Sequence, residues 1–294
     1  MSVSTTEPWT VLRVIRSSAE WLADRGVESP RLDAEHLLAH ALGTTRLQLY
    51  LQYDRPLDEE ERAALRPLLR RRGRREPLQY VVGRAAFREL DLAVDPRVLI
   101  PRPETEVLVQ VVLDAVGDRG RLRAVDVGTG SGCSALSLLR EGPFERVVAI
   151  DASEEALLVA RANAALLDAS DADGLDLRRG VGFEPLAEGE RFDVIVSNPP
   201  YVAAGDEADL APEIREWEPR LALYAGPKGF DVLDALVAGA PDHLSAGGLL
   251  ALEVGDGQAR ELAGRVEASG RYRSCSLHRD LSGRTLSLIH ISEP

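Results

Sequence analysis

The sequence predicts an α/β protein in which a mostly parallel sheet, covered by helices on both faces, follows a small helical bundle and is joined to it by a β-hairpin. Three observations predict this. Strand-like and helix-like runs alternate from residue 121 onward, the chain before residue 72 carries helical periodicity alone, and charge is divided unevenly. Residues 1–84 hold 14 Arg against 12 Asp and Glu, whereas the whole chain has a formal net charge of −13. The expected organisation is a helical domain over 1–84, a hairpin linker over 85–101 and an α/β domain over 102–285. Residues 286–294 (LSLIHISEP) resemble translated sequencing-adapter read-through, so they are expected to be a non-native tail replacing part of the last strand. Their apolar positions still fit a strand.

In the first part, Trp9, Leu12, Ile15, Ala19 and Leu22 recur at helical spacing. The run "SPRLDAEHLLAHALG" follows, with Ser29 as the cap, Pro30 in the first turn and Gly43 as the stop. Further helical pieces lie near 45–52 and 58–72, the second acidic early and Arg-rich late, as the helix dipole favours. His36 and His40 stand four apart but lack a third ligand, so they read as packing or surface residues. The basic run Arg66 to Arg75 reads as a solvated helix end, with contact to an acidic partner or RNA as the alternative.

From Phe87 to Ile100 the runs "FRELDLAV" and "RVLI", separated by Asp95-Pro96, predict the hairpin. In "IPRPETEVLVQVVLDAV", Pro103 suits a helix start and Glu104 and Glu106 its first turn, which leaves the amides of 102–106 free for a ligand.

In an open parallel sheet, ligands gather at the carboxyl ends of the strands, and the unusual residues fall there. In "VDVGTGSGC" a strand ends at Asp126 and Val127. Gly128, Thr129, Gly130, Ser131 and Gly132 then turn the chain tightly against a ligand before a helix begins. A dinucleotide fingerprint wants a third glycine where Cys133 stands; the pattern instead resembles motif I of class I S-adenosylmethionine-dependent methyltransferases. The next strand ends on Asp151, whose carboxylate can accept both hydroxyls of a ribose.

The strand "DVIVS" runs into Asn198, Pro199, Pro200 and Tyr201, and prolines mark where the ladder stops. The arrangement resembles motif IV of the methyltransferases that act on planar NH2 groups. An amide nitrogen is a poor nucleophile because its lone pair is delocalised, so both N–H bonds must be held and the lone pair turned toward a methyl sulfonium. Asn198 Oδ1 and the Pro199 carbonyl can supply the two acceptors, the proline rings fix the second, and Tyr201 would wall the slot with its ring face. No general base is required, because the nitrogen becomes acidic as the methyl arrives.

Composition narrows the class further. With 45% hydrophobic residues in 294, the chain can bury a substantial core. No run is long enough for a bilayer span, and the N-terminus lacks the pattern of a secretion signal, so the cytoplasm is expected, with no membrane partner. Cys133 and Cys275 are too few for a disulfide framework and lack metal-ligand spacing. An acidic main body disfavours DNA or RNA binding.

The segments "EPLQYVVGRAAFRELDLAVDPRVLIPRPETE", "DVGTGSGC", "VVAIDASEEALLVARANA" and "FDVIVSNPPYV" together resemble the HemK/PrmC family, the protein-(glutamine-N5) methyltransferases of peptide chain release factors. The resemblance covers nearly the whole chain. It implies a class I methyltransferase fold with a seven-stranded, Rossmann-like sheet and S-adenosylmethionine as cofactor, giving S-adenosylhomocysteine. It further implies that Asp126, Gly128 to Gly132, Asp151 and Asn198 hold the cofactor, and that Asn198 to Tyr201 hold the glutamine of a release factor's Gly-Gly-Gln tip. The N-terminal helices would recognise the factor's body, and a monomer is expected. In the family an acidic and a bulky residue after the third strand commonly meet the adenine; here Val181 and Gly182 stand there, so the adenine is held more weakly or through backbone. The alternatives are a ribosomal-protein glutamine methyltransferase, whose family typically carries a Ser-Pro version of "IPRPETE", and an adenine-N6 nucleic-acid methyltransferase, which needs a basic cleft.

Overall fold

Helix starts and stops in the first part follow the sequence closely in the computed structural model, which describes residues 8–279 and the strand 285–292. The ends 1–7 and 293–294, on which the readings of the N-terminus and of the tail's tip partly rest, lie outside the described residues. The chain divides into two compact units, residues 1–83 with 211–217, and residues 84–210 with 218–294. The segment 211–217, which the sequence reading places in the α/β domain, belongs to the first.

In the first unit, α1 (Val11–Ala23) is capped by the Thr10 hydroxyl, and α2 (Pro30–Ala41) begins on Pro30. Ser29 occupies the capping position of α2, but its side chain makes no capping bond. α3 (Arg46–Leu51) and α4 (Glu59–Arg72) both open with reciprocal capping boxes, Thr45 with Gln48 and Asp58 with Glu61. α5 (Leu78–Val82) completes the bundle. Val11, Ile15, Leu22, Leu37, Leu38 and Leu65 form its core. Trp9 is not part of that core: it precedes α1, remains 39% exposed and carries the Arg13 guanidinium 4.4 Å over its ring.

The basic run is mostly neutralised within this unit. Buried Arg72 donates to Asp33 Oδ2 (2.6 Å) and to Glu213 Oε1 (3.0 Å), Arg75 holds Glu213 through two bonds of 2.6 Å, and Arg71 pairs with Glu76. Arg66 pairs with Glu59 on the surface. Much of this charge is therefore internal wiring and is not available to an acidic partner.

The second unit opens with a hairpin placed earlier than the sequence reading has it. β1 (Arg84–Phe87) pairs with β2 (Leu90–Ala93) across a turn at Arg88, whose φ is +49°. Residues 95–100 form no strand. Asp95 accepts from the Arg97 amide (3.0 Å) and its guanidinium, closing a local turn where strand pairing was expected. After α6 (Pro103–Val116) come β3 (Leu122–Val127), α7 (Cys133–Glu141), β4 (Phe144–Asp151), α8 (Glu154–Ala164), the short α9 (Ala169–Ala172), β5 (Leu175–Arg179) and β6 (Phe192–Ser197). α10 (Pro212–Trp217) belongs to the first unit; α11 (Asp231–Gly239), β7 (Leu244–Glu253), α12 (Ala259–Ser269), β8 (Tyr272–Arg279) and β9 (Thr285–Ser292) complete the second.

The sheet has seven strands in the order β5-β4-β3-β6-β7-β9-β8. The first five are parallel, and β9 inserts antiparallel between β7 and β8, with Ala251 opposite Ile289. β9 thus includes most of the segment read as a foreign tail; apolar residues at 286, 288, 289 and 291 suit a strand whatever their origin. Period-two alternation gives the sheet two cores. Ala124, Val147 and Val194 pack with Leu108, Val112 and Leu136, while Val125, Val148 and Ile195 pack with Leu233, Leu236 and Leu262. The strand order reverses about β3, between β4 and β6, which is where a doubly wound sheet opens a crevice at its carboxyl edge.

Candidate active site

The site lies wholly in the second unit, at the carboxyl ends of β3, β4, β6 and β7. After Val127, Gly128, Gly130 and Gly132 all take left-handed φ (+76°, +54°, +84°), which favours glycine. A Cβ at 128 or 130 would meet nothing within 4 Å, so both glycines border open space; Gly132 instead packs against Ala160 and Leu136. The sequence reading expects the loop amides at a ligand, yet the amides of Gly128 and Thr129 both donate to the Ile150 carbonyl (2.8 and 2.9 Å), and that of Gly130 donates to Asp151 Oδ2 (2.9 Å). β4 therefore shapes the loop.

Asp151 Oδ1 also accepts from the Ser153 amide (2.8 Å). A carboxylate has about four acceptor positions, so Asp151 keeps acceptor capacity for a ligand. Asp126 is buried and accepts from the Thr129 hydroxyl (2.6 Å). Burial pushes its pKa up to about 7, and burial likewise raises that of Asp151. The open glycine faces, with two carboxyls at adjacent strand ends, fit a cofactor carrying an amino acid and a ribose.

Asn198 follows the end of β6, where Ser197 Oγ donates to the Val127 carbonyl (2.6 Å) and so ties the ends of β6 and β3 together. Asn198 Nδ2 donates to Thr105 Oγ1 (2.9 Å), and Thr105 Oγ1 donates to Glu253 Oε2 (2.6 Å). Among the described residues no donor reaches Asn198 Oδ1 or the Pro199 carbonyl. A cleft is lined by Asp126, Gly128, Thr129, Gly130, Ser131 and Asn198, together with Leu99, Pro101, Arg102 and Thr105. Those predicted residues are brought together. Gly132, Asp151, Pro199, Pro200 and Tyr201 are not among the cleft's lining residues.

Tyr201 packs into the core on the α11 and α12 side, and its hydroxyl lies against the Glu253 carboxyl. Its backbone is clamped by Gln258, whose Nε2 donates to the carbonyls of Tyr201 (3.1 Å) and Gly229 (3.2 Å) while Oε1 accepts from the Gly255 amide (2.9 Å). Arg102 forms an ion pair with buried Glu218 (2.6 Å). Asn163, buried on α8, donates to the Ser131 carbonyl (2.9 Å) and bonds both backbone groups of Ala93, which fastens the glycine loop to β2. Val181, at the position commonly facing adenine, is 64% exposed.

Thr105, Glu253, Gln258, Asn163 and Ser197 were not singled out from sequence. Only Glu253 left a signal, as a charge ending the apolar run "GLLALE".

The site has a pH signature. Glu253 is 1% exposed, and burial pushes its pKa up to about 7, with Glu104 adding and Arg102 and the Thr105 bond opposing. The unfolded-state values are about 4, so the folded protein retains protons that the unfolded chain releases between about pH 4 and 7. Stability from Asp126 and Glu253 is therefore full below pH 4 and lost as pH rises through 7. At about 1.4 kcal/mol per pKa unit, each carboxyl contributes on the order of 4 kcal/mol of such dependence. Urea midpoints of the cofactor-free protein, followed from pH 5 to 8, should fall less steeply for Asp126→Asn than for the parent; equal slopes would refute the assignment.

Comparison with known proteins agrees with this architecture. The family model for the PrmC N-terminal domain matches residues 13–83, and that for the methyltransferase small domain matches residues 103–216. A release factor glutamine methyltransferase of Geobacter sulfurreducens is 42% identical over 277 residues, covering 94% of this chain and 95% of that protein. A second, from Rhodopirellula baltica, is 39% identical, covering 97% and 98%. Among solved structures, the hMettl16 catalytic domain, crystallised with an RNA hairpin, superposes with a TM-score of 0.54 at 15% identity over 70% of this chain and 76% of that one, a likeness of fold alone. Among the described residues no helix is long and apolar enough to cross a membrane. With curated relatives of one description aligned along almost its full length, the chain belongs to the release factor glutamine methyltransferase family.

Proposed function

We infer that the protein methylates the side-chain amide nitrogen of the glutamine in the Gly-Gly-Gln tip of peptide chain release factors, in the cytoplasm and as a monomer. The single observation that carries the chemistry is the polarity of the Asn198 amide: its NH2 end is engaged by Thr105, and its oxygen has no donor among the described residues.

S-adenosylmethionine, when bound, supplies an electrophilic methyl on a sulfonium and leaves as S-adenosylhomocysteine. Gly128 to Gly132, Asp126 and Asp151 are the residues that would hold it. The remaining work falls to the slot. Asn198 Oδ1 and the Pro199 carbonyl accept the two N–H bonds of the glutamine amide, which aims the nitrogen lone pair at the methyl carbon. Pro199 and Pro200 stiffen the second acceptor, and Tyr201 anchors the end of the run through its core-packed ring and its clamped backbone. As the N–C bond forms, the nitrogen loses a proton to water. The acidic second part of the chain favours a protein substrate over nucleic acid.

Labelled S-adenosylmethionine presented in turn with a release factor, its Gln→Ala tip variant, a large-subunit ribosomal protein and DNA tests the reading. Label should enter the intact release factor and be lost with the tip variant. Preferential labelling of ribosomal protein or DNA would overturn it.

A further inference from the structure

Two side chains outside the Asn-Pro-Pro-Tyr run control which end of the Asn198 amide meets the substrate. We propose that Glu253, acting through Thr105, is a positioning residue for methyl transfer that holds Asn198 Oδ1 toward the acceptor nitrogen; this rests on the glutamine-amide reading above.

Thr105 lies in the first turn of α6 and Glu253 at the end of β7; both are at most 2% exposed. A threonine hydroxyl has one proton. An ionised carboxylate only accepts, so the Thr105 proton goes to Glu253 Oε2 (2.6 Å). What remains on Thr105 Oγ1 toward Asn198 is a lone pair, which accepts from Nδ2 (2.9 Å). Nδ2 is thereby pinned to α6, and Oδ1 is left as the acceptor for the cleft that Asn198 lines.

Charge state decides the polarity of this relay. A neutral partner at 253 can donate to Thr105 Oγ1. The Thr105 proton is then free to seek Asn198 Oδ1, and the amide turns its NH2 toward the substrate. Two N–H groups would face each other, and the slot would repel the group it is built to hold. The groups facing Glu253 are Arg102, at the capping position of α6, and Glu104 in its first turn, with opposing effects, and the Tyr201 hydroxyl beyond β6. Its carboxyl loses its proton near pH 7, so the relay acquires its working polarity on the alkaline side.

The experiment compares single-turnover methyl transfer to release factor from pH 5.5 to 9 for the parent, Glu253→Gln, Thr105→Val and Thr105→Ser. Binding of S-adenosylhomocysteine is measured for each. The parent rate should rise with pH to a plateau, with an apparent pKa near 7. Glu253→Gln and Thr105→Val should fall about 10- to 100-fold in rate. Glu253→Gln should also lose the pH dependence while keeping cofactor affinity within a few-fold. Thr105→Ser, which keeps the hydroxyl, should restore most of the rate.

A flat parent profile would overturn the proposal, and that measurement needs no variant to fold. So would a Glu253→Gln protein with the parent's rate and profile, or Thr105→Ser as slow as Thr105→Val at equal cofactor affinity. If the parent itself transfers no methyl to release factor, the underlying function reading fails instead, and the two failures are thereby distinguished.

Discussion

Asn198→Ala is expected to lower the single-turnover rate of methyl transfer by roughly 10²- to 10³-fold, the range seen when one preorganised partner of a reacting group is removed. Cofactor affinity should stay within about tenfold. Alanine removes the acceptor oxygen and the atom that fixes it, and the lone pair of the acceptor amide is then no longer aligned. The fold should tolerate the change. Asn198 is only partly buried, and Thr105 keeps its bond to Glu253, so one hydrogen bond of about 1 kcal/mol is lost. Rapid-quench transfer from labelled cofactor to excess release factor measures the rate. A folded, cofactor-loaded variant working at the parental rate would remove the chemical basis of the slot.

Gly229→Ala should be nearly as damaging to the reaction although residue 229 is outside the cleft lining. The position has φ +74°, and an added Cβ would stand 2.2 Å from the Tyr201 carbonyl oxygen and 2.8 Å from Gln258 Nε2. Backbone must give way, because neither the carbonyl nor the clamped amide is a free side-chain end. A displacement of about 1 Å in a positioning loop costs on the order of 100-fold in rate. Cofactor binding should be largely spared, since the glycine loop hangs from β4 and not from this clamp. Gly247→Ala is the matched control: φ is +71°, but nothing lies within 4 Å of the added Cβ. It should carry only the left-handed strain of about 1–2 kcal/mol. Thermal midpoints with kcat and KM for both variants separate the effects. Equal kcat in the two would contradict the role given to the Tyr201 backbone.

The parts of the site legible in sequence are those whose constraints are local. Gly128 and Gly130 announce left-handed turns, Pro199-Pro200 announces the end of a ladder, and Asp151 closes an apolar strand. Their placement at the edge of one sheet follows from the alternation of elements. What sequence conceals is partnership across distance. Thr105 and Glu253 are 148 residues apart, Asn198 and Thr105 are 93 apart, and no spacing rule connects them. The same holds for Arg72. Its neighbours in "RPLLRRRGRR" suggest a solvated face, but it is buried because Asp33, 39 residues earlier, and Glu213 supply its counter-charges. The hairpin lies earlier than the sequence suggests for a local reason. Apolar alternation through "RVLI" mimics a strand, whereas Asp95 folds back onto Arg97, and Phe87 and Leu90, both buried, fix the turn earlier.

A crystal structure of the protein with S-adenosylhomocysteine and a release factor carrying its intact Gly-Gly-Gln tip would show the slot engaged. The glutamine amide nitrogen is expected about 2.7–3.2 Å from both Asn198 Oδ1 and the Pro199 carbonyl oxygen, with Asn198 Nδ2 still on Thr105. A glutamine whose amide oxygen, and not its nitrogen, occupies that slot, or an acceptor nitrogen held elsewhere, would contradict that placement.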